Sequence, residues 1–264
     1  MSRQYAKLFG ALVAAALMQV ALAGATRAGG PYDDAMTAYE KGDYATALKI
    51  LQPRAERGDS RSQNALGRMY AKGQGVPKDE AEASKWFQMA TDQRKALEAY
   101  NYGDFALALK TFRPLAEKGQ ALAEYVIGLM YANGQGLPES YAEGLKWLTK
   151  SAEHGEAKAQ FSVGVIYFKG LGIAKDPAVA FKWYRRAADQ GNATAQFNLG
   201  SMYAKGQTVQ QDVVTAQMLY SLAAAQGIKA AGAAKDRLAK SMTPEQLSEA
   251  DKRARAWRPK LEED

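Results

Sequence analysis

The sequence predicts an all-α fold, a right-handed superhelical α/α solenoid of stacked helix hairpins. Three observations predict it. Residues recur at a fixed step along much of the chain, which marks a repeat architecture. Within each step the apolar residues fall three and four apart, on one face of a helix. Glycine and proline cluster where those runs end, and no segment alternates polar and apolar residues as a half-buried strand does.

The 264 residues are 47% hydrophobic and 24% charged, a composition that folds. The formal charge of +7 is mild for that length, and basic residues are interleaved with acidic ones, so nucleic acid is not the expected partner. The absence of cysteine excludes disulfides, thiolate metal sites, cysteine nucleophiles and a lipid anchor on an N-terminal cysteine.

Residues 1–23 read as a secretory signal peptide. Arg3 and Lys7 supply the basic n-region, and Leu8 to Met18 form an apolar run of eleven residues broken by Gln19. A bilayer span needs about 20 such residues. Ala21-Leu22-Ala23 offers the small-x-small cleavage pattern, and Thr26 with Ala28 offers a second cut after residue 28. Removing Arg3 and Lys7 lowers the charge from +7 to +5.

The repeats follow. A step of 36 residues relates Gly128, Gly164 and Gly200; Tyr131, Tyr167 and Tyr203; and Gly134, Gly170 and Gly206. The same step relates Trp147, Trp183 and Leu219; Ala152, Ala188 and Ala224; and Gly155, Gly191 and Gly227. Upstream, Tyr39, Gly42, Asp43, Gly58, Gly67, Tyr70, Gly73, Gly75, Pro77 and Trp86 recur 61 residues later. A larger unit is therefore duplicated: one helix pair of the Tyr-x-x-Gly-Asp type, then one of the Gly-x-x-Tyr type.

Each 36-residue unit reads as two helices. On the first, Ala195, Leu199, Gly200 and Tyr203 share a face. A mid-helix glycine costs about 1 kcal/mol relative to alanine, so its recurrence predicts close approach of a neighbouring helix. A stretch such as Lys72–Pro77 then breaks the helix. The second helix carries Ala180, Trp183, Tyr184, Ala187 and Ala188 on one face and ends at Gly191. One hairpin cannot bury its apolar face alone, and stacking supplies the core over residues 31–240. Residues 241–264 read as a capping helix and charged tail, opened by Thr243, Pro244 and Gln246 as N-cap, N1 proline and capping-box partner. Pro259–Asp264 is expected to fray.

The pattern Ala-x-x-x-Leu-Gly-x-x-Tyr-x-x-Gly-x-Gly, then a Lys-Trp pair, then Ala-Ala-x-x-Gly, resembles the Sel-one-like repeat (SLR), a relative of the tetratricopeptide repeat. Ala159–Gly191 and Ala123–Gly155 match best. Ser62–Asp92 lacks the closing glycine, and Ala195–Gly227 has Thr208 for the second loop glycine and Leu219 for the tryptophan. The resemblance covers roughly residues 35–240. It implies a curved superhelix whose concave side holds peptides or protein partners.

Positions that vary between units while facing one way are free for recognition. Opposite the apolar face of each first helix stand Arg61, Ala65, Arg68 and Lys72; then Leu122, Val126, Leu129 and Asn133. The next two sets are Lys158, Ser162, Val165 and Lys169; then Thr194, Asn198, Ser201 and Lys205. The candidate binding residues among them are Arg61, Arg68, Lys72, Lys158, Ser162, Lys169, Asn198, Ser201 and Lys205.

Catalytic chemistry finds little support. The one histidine, His154, sits at a predicted helix C-terminus, where a cation suits the helix dipole. With no cysteine, zinc would depend on carboxylates, and no Gly-x-Ser-x-Gly elbow accompanies the histidine. The pairs Gly73/Gly75, Gly134/Gly136 and Gly170/Gly172 lack the Gly-Lys-Ser/Thr ending of a phosphate loop. Glu80, Glu82 and Glu143 fall on predicted exposed helices, and nothing singles out a pair.

The expected protein is thus an exported, non-catalytic scaffold of the bacterial periplasm or exterior. It binds a protein or peptide and needs no cofactor or metal. Two other readings stay open. One is an exported enzyme acting on cell-wall fragments or peptides with concave-face carboxylates; the other is an envelope assembly or secretion factor.

Overall fold

The computed structural model describes residues 31–206 and 208–260, and every regular element in them is an α-helix. In order these are α1 (Pro31–Glu40), α2 (Tyr44–Glu56), α3 (Ser60–Lys72), α4 (Glu80–Asn101), α5 (Phe105–Glu117), α6 (Ala121–Asn133) and α7 (Tyr141–Glu153). Then come α8 (Ala157–Lys169), α9 (Pro177–Asp189), α10 (Ala193–Lys205), α11 (Val213–Ala225), α12 (Lys229–Ala239) and α13 (Pro244–Ala256). The proposed export signal lies outside the described residues. The chain divides into two compact units after Glu156.

Each Gly-x-x-Tyr repeat folds as a hairpin: α3 on α4, α6 on α7, α8 on α9 and α10 on α11. The hairpins close alike. Gly134 caps α6 in the left-handed region (φ 64°), a conformation that strains any residue bearing a Cβ. The loop ends on an N-cap residue whose N–H donates to the carbonyl of the repeat tyrosine: Asp79 to Tyr70, Ser140 to Tyr131, Asp176 to Tyr167 and Asp212 to Tyr203. The side chain of that same residue then accepts from the first turn, as Asp176 does from Val179 N–H at 3.0 Å.

The recurrent mid-helix glycine admits a side chain, not merely a helix. A Cβ on Gly67 would stand 2.6 Å from Phe87, on Gly128 2.8 Å from Leu148, on Gly164 2.7 Å from Tyr184 and on Gly200 3.0 Å from Tyr220. These large residues occupy one equivalent position on the second helices. Each lies in the groove its glycine opens.

In the first unit the Gly-Asp pairs form as their caps dictate. Asp43 and Asp104 accept from Thr46 N–H and Leu107 N–H and start α2 and α5. One core gathers Leu51, Leu66 and Met69, and another gathers Phe112, Ile127 and Met130. Gln74, from the loop after α3, accepts from Tyr39 Oη at 2.6 Å and donates to Tyr44 Oη at 2.8 Å. Gln135, in the equivalent loop, accepts from Tyr100 Oη at 2.7 Å. Each loop is thereby tied to the pair before it. The missing closing glycine of the first repeat has a structural consequence: Arg94 stands where the later repeats turn, and α4 runs unbroken for 22 residues. Its second half serves as the first helix of the next Gly-Asp pair.

In the second unit Tyr184, Leu199, Met202, Leu219, Tyr220 and Leu222 are buried. α12 and α13 both pack on α11, and the capping box of Thr243 and Gln246 is formed. Fraying does not begin at Pro259. Lys260 N–H donates to the Asp189 carbonyl at 2.8 Å, and Trp257 with Pro259 covers Gly191, whose missing side chain leaves room for them.

Gly164→Ala should lower stability by about 1–2 kcal/mol, because overpacking against Tyr184 costs about 1–3 kcal/mol and outweighs the helix-propensity gain. Gly232→Ala, in open space on α12, should instead raise it by up to about 1 kcal/mol. Urea titrations distinguish the two. Thr208 holds φ 74° where the preceding repeat has Gly172 at 75°. Thr208→Gly should therefore raise stability by about 1 kcal/mol in the same titration.

Candidate interaction face

The first helices α3, α6, α8 and α10 carry the candidate residues, and their neighbours decide how much of the face stays open. On α3, Arg61, Arg68 and Lys72 are exposed. Arg61 lies over the Tyr32 ring at 4.7 Å and stands 3.8 Å from Asp59 Oδ1. On α6 the expected face is closed: Val126 and Leu129 are buried, and Leu122 and Asn133 are half-buried. Ala65 and Val165 are buried as well.

On α8, Lys169 is exposed and Lys158 half-buried. Ser162 is buried, and its hydroxyl donates to the Lys158 carbonyl at 2.8 Å. It is a packing residue, and its place in the candidate set is corrected accordingly. On α10, Lys205 is exposed, while Asn198 and Ser201 are half-buried and engaged. Ser201 Oγ accepts from Tyr220 Oη at 3.2 Å and donates to the Phe197 carbonyl at 3.0 Å. Asn198 hydrogen-bonds the Tyr184 hydroxyl, whose pKa burial pushes upward. The central polar residues of α10 thus anchor the tyrosine hydroxyls, and the open strip is narrower than the helical wheel implies. A wheel assigns one face to the core, whereas a helix in a stacked array is flanked on both sides as well.

A polar ladder also runs through the repeats, unnoticed in the sequence. Its positions are Gln63, Glu124, Gln160 and Gln196 on the first helices with Gln93, inside α4, and His154, Gln190 and Gln226, at the ends of α7, α9 and α11, related by the 61- and 36-residue steps; rungs close in the last three repeats. Gln190 Nε2 donates to Gln160 Oε1 at 2.9 Å, and Gln226 Nε2 to Gln196 Oε1 at 2.9 Å. In the first repeat the two positions bond other partners: Gln63 donates to the Ala55 carbonyl and Gln93 to Gln120. In the second repeat the rung is ionisable: His154 Nδ1 lies 2.7 Å from Glu124 Oε2, and the Glu124 side chain is only 2% exposed. Burial raises the Glu124 pKa, and His154 and Lys150 pull it back less strongly. His154 is therefore a structural partner as well as a helix-end residue.

The carboxylates weighed for catalysis are each paired with a lysine. Glu80, Glu82 and Glu143 face Lys78, Lys85 and Lys146 at 2.9, 2.8 and 3.6 Å. Such solvated pairs stabilise by about 0–1 kcal/mol. Among the described residues no three His, Asp or Glu side chains gather as a metal site, and no helix is long and apolar enough to cross a membrane.

These hairpins define a class of protein, the helical repeat array in which each unit supplies one first and one second helix. Within that class the chain belongs to the Sel1 repeat family, whose model matches residues 60–95, 121–156, 157–192 and 193–228. It is similar to the solved Sel1 repeat protein of Oxalobacter formigenes, at 31% identity over 85% of this chain and 99% of that one, with a TM-score of 0.50. It is also similar to c5321, a protective antigen of uropathogenic Escherichia coli with an SLR fold (24% identity, 86% of this chain, 60% of that one, TM-score 0.43). A Sel1 repeat protein of Klebsiella pneumoniae gives 19% identity over 72% of this chain and 97% of its own, with a TM-score of 0.39. No curated protein sequence matches the chain. Sel1 repeat proteins are generally scaffolds for protein interactions.

The Glu124–His154 rung predicts a pH dependence. The folded state binds the Glu124 proton more tightly than the unfolded chain does. That contribution is present below the ordinary carboxylate value of 4.5 and is lost as pH rises through the higher folded value. Replacing the pair by the Gln–Gln rung of the later repeats (Glu124→Gln with His154→Gln) should remove this decline from a plot of melting temperature against pH. An unchanged slope would assign it elsewhere.

Proposed function

We propose that this protein is an exported, non-catalytic scaffold that captures a protein or peptide partner on the open strips of its first helices. One observation carries the reading. Arg68, Lys72, Lys169 and Lys205 stay exposed on first helices whose other sides are committed to packing; the equivalents of Arg68 vary (Leu129, Val165, Ser201), whereas a lysine recurs at 72, 169 and 205. The pairing of Glu80, Glu82 and Glu143 with lysines favours binding over the enzyme reading, since acid–base catalysis on a glycoside needs two free carboxyl groups about 5–10 Å apart across one bond. The apolar run with its cleavage pattern at residues 21–23 supports export to the periplasm or beyond.

Photo-crosslinkable residues placed at positions 169 and 205 should capture a partner from the envelope fraction. The same probes at 182 and 185, on α9, should not. Equal capture from both sets would contradict a first-helix face. N-terminal sequencing of the purified mature protein should begin at Gly24 or Gly29, and a chain that keeps Met1 would remove export from the reading.

A further inference from the structure

The two Gly-Asp pairs, α1 with α2 and the second half of α4 with α5, are built alike. Gly42 and Gly103 turn in the left-handed region at φ 79° and 85°. Asp43 and Asp104 cap the helices that follow. Tyr39 meets Tyr44 edge-on at 5.4 Å, and Tyr100 meets Phe105 at 5.7 Å. Ala47, Leu51 and Ala55 are buried on α2, and their counterparts Ala108, Phe112 and Ala116 are buried on α5. Turn and core make the same demands on both pairs, so their surfaces can be compared position by position across the 61-residue step.

The surfaces differ. Lys41 and Thr46, exposed at the first turn, become Tyr102 and Leu107 at the second. Tyr102 is 89% exposed and Leu107 43%, and these two are the large apolar side chains left open to solvent among the described residues. Charge changes with them. Exposed Asp34 and Gln52 become exposed Lys95 and Arg113, while Lys110 keeps the exposed lysine of Lys49. Residues 33–57 hold four basic and five acidic residues, and residues 94–118 hold five and three, so the net charge moves from −1 to +2.

Contacts within the unit do not call for these residues. Arg94 and Glu98, which replace Asp33 and Thr37, bond each other. Lys95, Lys110 and Arg113 have no carboxylate within ion-pair distance among the described residues, although Glu117 stands one turn from Arg113. None of the three lies in the first or last turn of its helix, where the dipole acts. Lys95 stands two turns before Tyr102 on α4, and Lys110 one turn after Leu107 on α5. An exposed tyrosine and leucine add nothing to the core, and with unpaired cations beside them they have the composition of a binding patch.

We infer that the α4–α5 turn docks a partner chain that offers apolar side chains flanked by carboxylates. The apolar residues cover Tyr102 and Leu107, and the carboxylates meet Lys95, Lys110 and Arg113. A peptide can set its carboxylates opposite those cations alone. An anionic membrane surface cannot, because exposed Asp104 and Glu117 alternate with them along the chain. None of these residues belongs to the first-helix strips, so the two surfaces stand or fall separately.

Fluorescence anisotropy on the full chain, with a labelled twelve-residue peptide of repeating Glu-Glu-Leu-Leu, tests this. At about 0.15 M salt exposed charges more than about 8 Å apart are screened, so the readout is local. The peptide should bind, and its Glu-Glu-Ser-Ser and Lys-Lys-Leu-Leu counterparts should bind at least tenfold more weakly. Tyr102→Lys with Leu107→Thr, and separately Lys95→Asp with Arg113→Gln, install residues that the first pair already carries in the same fold. Each should weaken binding at least tenfold. Lys41→Glu with Lys49→Glu, on the first pair, should weaken it less than threefold. Circular dichroism verifies the fold of each variant. No binding of the peptide, equal binding of the serine counterpart, or equal weakening by the first-pair variant overturns the inference. So does tighter binding of phosphatidylglycerol vesicles through Tyr102 and Leu107. Peptide binding at this turn without crosslinks from positions 169 and 205 would remove the first-helix reading and leave this one.

Discussion

A glycine in the middle of each first helix, filled by one large side chain from the second, is the contact on which the hairpins depend. Gly67, Gly128, Gly164 and Gly200 receive Phe87, Leu148, Tyr184 and Tyr220 at distances where a Cβ would collide. The helix gives up about 1 kcal/mol of intrinsic propensity for each glycine. In return a Phe, Leu or Tyr side chain leaves water, worth about 1.5–3 kcal/mol for a side chain of that size. The exchange is favourable where the side chain is fully buried, as at Leu148, Tyr184 and Tyr220, while Phe87 stays half-buried.

The same contact shapes the surface. Tyr184 and Tyr220 are long enough to pass the glycine and bring their hydroxyls to α10, where Asn198 and Ser201 receive them. A buried hydroxyl without a partner costs about 1–3 kcal/mol, so these polar residues answer to the tyrosines first. What remains for a partner is the exposed margin of each first helix. In the second repeat, Leu148 replaces the tyrosine and has no hydroxyl to satisfy. There Val126 and Leu129 lie buried on α6, and no charged strip is present.

Much of the fold was legible in the sequence because repetition multiplies a weak signal. A lone Gly-x-x-Tyr proves nothing, but the same residues at one step through successive repeats fixed hairpins, loops and caps together. The candidate site was legible only in part. Arg68, Lys72, Lys169 and Lys205 are exposed as the wheel places them, whereas Ser162 is buried and Leu129 is lost to the core. The ladder of Gln63, Glu124, Gln160 and Gln196 with Gln93, His154, Gln190 and Gln226 obeyed the same steps and could have been found by aligning polar residues as carefully as glycines.

By itself the sequence determined the helices, their pairing and their boundaries, because caps, glycines and periodicity are local and repeated. Only the tertiary structure decided what runs between those units. Without a glycine at position 94, α4 passes through the expected turn and joins two pairs, and the tail from Trp257 to Lys260 is held on the turn at Gly191 instead of fraying. Both outcomes, like the burial of one first-helix face and the exposure of another, turn on which neighbour arrives beside a residue. Local spacing carries no record of that.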